Sequence, residues 1–213
     1  TKVDAMKDNV SGQTITLTTS VDTKVGSDKG DLFEGIVDTA GKSTLTALDS
    51  IDGKEGKDTL NILNANGSST LELPAGLVVK NVEIVNVKSA DDVGSGATSF
   101  DVSGFTGLTD LNITQAKDVF LTAAATTNVN VSGTTGAAVN VDGGKNVVVN
   151  DATADQNITI GATTGAAGTI TVTDTKQGTG VIAVDGGTDV TITATAADIS
   201  TGATSTTGAI NVG

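Results

Sequence analysis

Aspartate is the residue type in this chain best suited to do chemistry. Of its 25 acidic residues, 21 are Asp and 4 are Glu. Nine of the Asp fall in the first sixty positions, at 4, 8, 22, 28, 31, 38, 49, 52 and 58. Two of them close glycine turns. Gly26-Ser27-Asp28-Lys29-Gly30-Asp31-Leu32-Phe33 places a Gly five residues before Asp31 and an apolar residue two after it. Gly53-Lys54-Glu55-Gly56-Lys57-Asp58-Thr59-Leu60 does the same and adds a central Gly56. This is the grammar of the nonapeptide G-G-x-G-x-D-x-U-x, whose turns bind Ca²⁺. Ca²⁺ takes about six to eight oxygens at about 2.3–2.6 Å. Tight glycine turns aim carbonyls inward, the carboxylate adds charge, and the apolar residue starts a strand. Ser27 and Lys54 stand where the second Gly belongs, and Lys29 where the fourth-position Gly belongs. The Asp58 turn therefore keeps more of the pattern than the Asp31 turn.

Other chemistries are excluded by what is missing. The chain has 213 residues and no His, Cys, Trp, Tyr or Arg. That removes His-based triads, Cys nucleophiles, and imidazole or thiolate zinc sites. It also removes disulfides, so order must come from packing, hydrogen bonds or hard metal ions. A glycosidase would need clustered acids together with residues that grip a sugar. Those grips are absent, and the chain reads as a non-enzyme. A net charge of −13 with 12 Lys argues against nucleic-acid binding. No apolar run is long enough to span a membrane.

The elements that must position these turns are short strands. Apolar residues make up 37% of the chain, mean hydropathy is +0.09, and 37 residues are Thr. Such a composition is too apolar for a disordered acidic chain and rich in β-branched residues. Alternating triplets recur at 111–113, 119–121, 129–131, 139–141, 147–149, 158–160, 170–172, 182–184, 190–192 and 210–212. Each puts two apolar residues on one face. One further strand is expected near Ala197–Ser200. Val139–Gly144 recurs as Ile182–Gly187, and the strand at Val147 recurs at Val190, both after 43 residues. Four strands per 43 residues fit two coils of two strands, or three-strand coils with irregular loops, with Asp142-Gly143-Gly144 and Asp185-Gly186-Gly187 as coil corners. Inside, Val, Ile and Ala should stack as aliphatic ladders; outside, Thr and Asn should form hydrogen-bonded ones. The fold expected is all-β: a right-handed parallel β-helix, or β-solenoid, with calcium-binding glycine-rich turns near its N-terminal end.

The first half reads as less regular. Thr14–Thr18, Leu60–Leu63 and Val85–Val87 read as strands. Leu45, Leu48 and Ile51, spaced by three, read as a helical turn. Leu73–Val82, with Pro74, reads as a loop, and Phe100–Val102 as the start of the regular series. Three regions are expected: a leading segment 1–13, a calcium-binding turn region 14–66, and a Thr/Ala/Gly/Val-rich solenoid 67–213. Ile210–Val212 near the end suggests a fragment of something longer.

Four segments carry a resemblance. They are Thr16–Thr23 with the Gly26–Phe33 turn, Thr44–Gly53 with Gly56–Asn61, Asn81–Val87, and Gly104–Asn112. In this order they resemble repeats-in-toxin-type surface-layer proteins of Gram-negative bacteria, of the kind found in Caulobacter and Campylobacter. The likeness covers about residues 14–132. It implies a calcium-stabilised solenoid exported by type I secretion to the cell surface. It also implies self-association into a two-dimensional lattice, with lipopolysaccharide held through a region outside this chain. Carried over residue by residue, it implies Ca²⁺ ligands at Asp22, Gly26, Asp28 and Asp31, and at Asp49, Asp52, Gly53 and Asp58. The alternative reading is a calcium-stabilised spacer or binding module of a large secreted adhesin, which would use the same turns and Thr-rich strands.

Overall fold

The computed structural model describes residues 12–37, 41–64, 70–196 and 208–213. Among them it has eighteen strands and no helix. In chain order they are β1 Thr14–Thr16, β2 Thr23–Val25, β3 Leu32–Val37, β4 Ser50–Asp52, β5 Thr59–Asn64 and β6 Val78–Lys80. Then follow β7 Ile84–Ser89, β8 Phe100–Asp101, β9 Asp110–Gln115, β10 Val119–Ala123, β11 Asn128–Ser132 and β12 Ala138–Gly143. The last six are β13 Val147–Asp151, β14 Asn157–Ile160, β15 Thr169–Gln177, β16 Ile182–Val184, β17 Asp189–Ala196 and β18 Ile210–Val212.

All strand pairs are parallel, and the odd-numbered strands form one nine-stranded sheet in sequence order. The even-numbered strands β8 to β18 form a second sheet of six, and β2, β4 and β6 a third of three. Consecutive strands thus alternate between faces while each face stacks coil on coil, which is a β-solenoid. The 43-residue repeat spans two coils: Val139 pairs with Ile158 and Ile158 with Ile182, while Val147 pairs with Ile170 and Ile170 with Val190. All ten triplets of the second half are strands. The strand expected near Ala197–Ser200 lies outside the described residues.

The interior is the aliphatic ladder that alternation requires. Phe33, Leu60, Val85, Leu111, Val129, Val147 and Ile170 stack in register and are buried. Each such side chain stabilises the fold by about 1.5–3 kcal/mol through apolar burial. Every inward position meets its equivalent one coil away, so a narrow core suffices and large aromatic rings are not needed.

The outer face carries polar ladders. Asn130 donates to Asn112, Asn112 to Asn86, and Asn86 to Asn61, each at 3.0 Å through Nδ2 and Oδ1. Asn86 is both donor and acceptor in this chain of amides. Asn86→Ala is expected to cost about 1 kcal/mol and lower Tm by about 2–4 °C, checked by a thermal melt.

Three first-half expectations are corrected. Leu45–Ile51 is not helical: Leu48 adopts a left-handed φ of 69° and is exposed, so the chain turns there and enters β4. The spacing of three arises because Leu45 and Ile51 each reach the core from either side of that turn. Leu73–Val82 contains β6, whose Val79 is buried against Ile51 in register. Regular coiling begins at β1, well before Phe100. Coil length varies in the first half: Thr14 pairs with Leu32, 18 residues on, and Leu32 with Thr59, 27 residues on.

Candidate functional site

The acidic turns lie just upstream of the strands they feed. Asp22 precedes β2, Asp31 precedes β3, Asp49 precedes β4 and Asp58 precedes β5. All four are buried. Strand stacking sets them in two columns, Asp22 over Asp49 and Asp31 over Asp58, each pair 27 residues apart.

Each column follows one rule. One carboxylate oxygen reaches to the preceding coil and accepts the backbone N–H of the equivalent residue there. The Asp22 N–H donates to Asp49 Oδ1 at 2.8 Å, and the Asp31 N–H to Asp58 Oδ1 at 2.6 Å. The Gln13 N–H donates likewise to Asp31 Oδ1. The other oxygen accepts an N–H from the turn just upstream in its own coil. Thr18 N donates to Asp22 Oδ2 at 2.5 Å, Ser27 N to Asp31 Oδ2 at 2.5 Å, and Thr46 N to Asp49 Oδ2 at 2.6 Å. The hydroxyls of Thr18, Ser27 and Thr46 add a further contact to the same carboxylates. These carboxylates cap a turn and staple it to the preceding coil.

Asp58 breaks the rule. By analogy with Ser27, the Lys54 N–H should reach its Oδ2. Lys54 instead has φ 73°, and its N–H donates to Asp52 Oδ1 at 3.1 Å. Asp58 Oδ2 is left buried with no hydrogen-bond partner. Gly53 presses its backbone against that oxygen: a Cβ there would lie 2.5 Å from Oδ2 and 1.9 Å from the Asn81 carbonyl oxygen. Only glycine lets the turn close this tightly over the carboxylate.

Electrostatics separates the same residues. Burial alone would raise the Asp31 pKa, but the Gln13 and Ser27 donors outweigh it and hold it below the usual value. Asp22 is likewise lowered, with burial outweighed by Thr18 and by Lys24, whose Nζ sits 3.1 Å away. Asp58 is pushed up to about 6, first by burial and then by the carboxylates of Glu83, Asp31 and Asp52. Asp52 is half-buried at the rim, lowered by the Asn81 amide at 2.8 Å, and its Oδ2 lies 3.5 Å from Lys54 Nζ.

No family model and no curated protein matches the chain. The structure brings Asp31, Asp58, Gly26, Gly53 and Asp52 into one corner, and Asp22 and Asp49 into another. A Cβ on Gly26 would lie 2.5 Å from both Asp31 Oδ2 and the Gly53 carbonyl oxygen. Asp28 is exposed and takes no part in either column. Among the described residues no group of three acidic side chains is placed to hold a metal ion.

Glu83 was not legible as a site residue. It is the third rung of the Asp31–Asp58 column, and its Oε2 accepts the Asp58 N–H at 2.8 Å. The signal available was positional: an acid followed by apolar-Asn-apolar, Asp58 with Leu60-Asn61-Ile62, recurs as Glu83 with Val85-Asn86-Val87 after 25 residues. The Thr or Ser four residues before Asp22 and Asp31 was a second signal, marking a capped turn.

Proposed function

We propose that this chain is a structural segment of a bacterial surface layer, folded by extracellular Ca²⁺ and self-associating into a two-dimensional lattice. The observation that carries the calcium part is the orphaned Asp58 Oδ2, a buried anionic oxygen in a glycine cradle beside further carboxylates. A buried charge without a partner is costly, and a hard cation removes that cost. Asp58 and the rim carboxylate of Asp52 would hold the ion, with backbone carbonyls of the Gly53 turn and water completing its shell. When bound, Ca²⁺ supplies positive charge that couples successive turns.

The structural role is supported by where the polar side chains are used. Asp, Asn, Thr and Ser spend their hydrogen bonds on neighbouring coils. In low cytosolic Ca²⁺ the acidic chain repels itself and stays competent for export; outside, binding free energy becomes folding free energy. Lattice contacts and lipopolysaccharide attachment follow from the family resemblance.

Thermal melts in CaCl₂ and in EGTA test the calcium part: Tm should be higher in CaCl₂, and an unchanged Tm would sink it. Calcium titration followed by size exclusion and negative-stain imaging tests the assembly. Ordered sheets are expected; a monomer at every Ca²⁺ concentration points to the adhesin spacer instead.

A further inference from the structure

Far from these turns, β13 and β15 carry a second pair of buried carboxylates. Asp151 and Asp174 are register partners on adjacent rungs, 2% and 1% exposed. They are poor in donors. Asp151 Oδ1 accepts the Thr153 N–H at 2.9 Å, and Asp174 Oδ1 the Lys176 N–H at 2.8 Å. The Thr134 hydroxyl oxygen lies 3.3 Å from Asp151 Oδ1 but closer, 2.9 Å, to Gln156 Oε1, and its single proton cannot serve both. Gln156 is held in this orientation because its Nε2 donates to the Gly136 carbonyl at 3.0 Å. Asp151 Oδ2 is buried with no partner at all. Ion pairs among the described residues go to Asp22, Asp52 and Asp91, not to either of these. The next rung after Asp174 is Ala194, which offers nothing polar.

We propose that Asp151 and Asp174 hold one Ca²⁺ between their rungs, with the side-chain oxygens of Gln156 and Thr134 beside it. This site does not depend on the Asp58 turn. The side-chain atoms offered to the ion by Asp151, Asp174, Gln156 and Thr134 are oxygens, which selects a hard cation. Ca²⁺ accepts irregular oxygen shells at about 2.3–2.6 Å, whereas Mg²⁺ demands a near-ideal octahedron at about 2.0–2.1 Å, which favours Ca²⁺ at a site built from two strand carboxylates, an amide and a hydroxyl.

The test is isothermal titration of the full chain with CaCl₂ and with MgCl₂, on wild type, Asp58→Asn and the double variant D151N/D174N, with circular dichroism to confirm folding. The expected result is one Ca²⁺-binding event lost in the double variant and retained in Asp58→Asn, with Mg²⁺ bound at least about tenfold more weakly. An unchanged number of ions in a folded double variant overturns the proposal, as does stabilisation of wild type by acid with no Ca²⁺ event, the mark of a shared proton. Equal Mg²⁺ affinity overturns the choice of ion. A Ca²⁺ event that vanishes only in Asp58→Asn overturns this site and keeps the turn site; one that vanishes only in the double variant does the reverse. Should the double variant fail to fold, Asp174→Asn alone is expected to weaken Ca²⁺ binding at least about tenfold, and an unchanged Kd overturns the proposal.

Discussion

Asp31→Asn is expected to destabilise the fold by about 2–3 kcal/mol, whereas Asp58→Asn is expected to stabilise it in EGTA at pH 7.5. The two residues occupy equivalent rungs, so opposite signs are a sharp outcome. Asp31 receives the Gln13 N–H on one oxygen and the Ser27 N–H on the other. An Asn side chain offers one carbonyl oxygen and one NH₂ group. Whichever way it turns, one buried N–H faces another donor, and a charge-assisted bond is lost as well. Asp58 has a donor on Oδ1 only, from Asp31 N at 2.6 Å. The amide introduced by Asp58→Asn would keep that bond and place an uncharged NH₂ where Oδ2 is orphaned. It imitates the protonated acid. With the Asp58 pKa at about 6, folding with this carboxylate ionised at pH 7.5 costs at most about 3 kcal/mol, less whatever water screening removes. A neutral amide does not carry that cost. Urea unfolding of both variants in EGTA decides the matter. Equal destabilisation would mean that Asp58 is satisfied like its neighbours, and the calcium reading would lose its support.

The contrast shows which parts of the structure were legible from residue patterns. Period-two alternation is a backbone property, so the second-half triplets located all ten strands, and the 43-residue repeat located the coil. The first half was harder because its coils change length, from 18 residues to 27, and their turns borrow apolar residues. Leu45 and Ile51 look helical only because an exposed, left-handed Leu48 stands between two inward residues. β6 hid behind Pro74 because a three-residue strand offers only Val79 to the core.

The acidic site was half legible. Gly-to-Asp spacing picked out turns whose carboxylates are buried and stacked in columns, since tight turns and short carboxylates are needed whether the partner is a metal or a backbone N–H. That same ambiguity is why spacing alone could not rank the residues. Asp31 and Asp49 each receive backbone donors from two coils, and Asp22 adds Lys24 to its own turn's donor, so they serve the fold without an ion. The feature that distinguishes Asp58 is the direction of one N–H, at Lys54, and that depends on a backbone φ no residue pattern specifies. The excess of Asp over Glu also acquires a second cause. A shorter side chain is needed to cap a turn and still reach the N–H of the preceding coil.

In EGTA, stability should fall as pH rises from about 4 to about 6.5, the reverse of common behaviour. Asp58 has a folded pKa of about 6 against an ordinary 3.8. The folded state therefore holds this proton more tightly than the unfolded chain. Below 3.8 both states are protonated and the contribution is complete. Between 3.8 and 6 the unfolded chain releases its proton while the folded one retains it, and stability drains away. The whole loss is at most about 3 kcal/mol, with screening at the turn reducing it. Asp174 is also raised, by burial and then by Asp151, and acts in the same direction. The lowered carboxylates, Asp22 and Asp31 among them, act oppositely: they add stability as pH climbs to 3.8 and nothing beyond. The windows do not overlap, so the metal-free protein should be most stable near about pH 4. Self-repulsion of a chain carrying −13 steepens the decline above it. Asp58→Asn should flatten the limb between about pH 4 and 6.5, leaving the part due to Asp174 and to net charge. Thermal melts across about pH 3–8 in EGTA supply the measurement. A wild-type Tm between about pH 4 and 6.5 that Asp58→Asn leaves unchanged in slope would show that Asp58 ionises without cost, because a carboxylate with no raised pKa contributes nothing in that window.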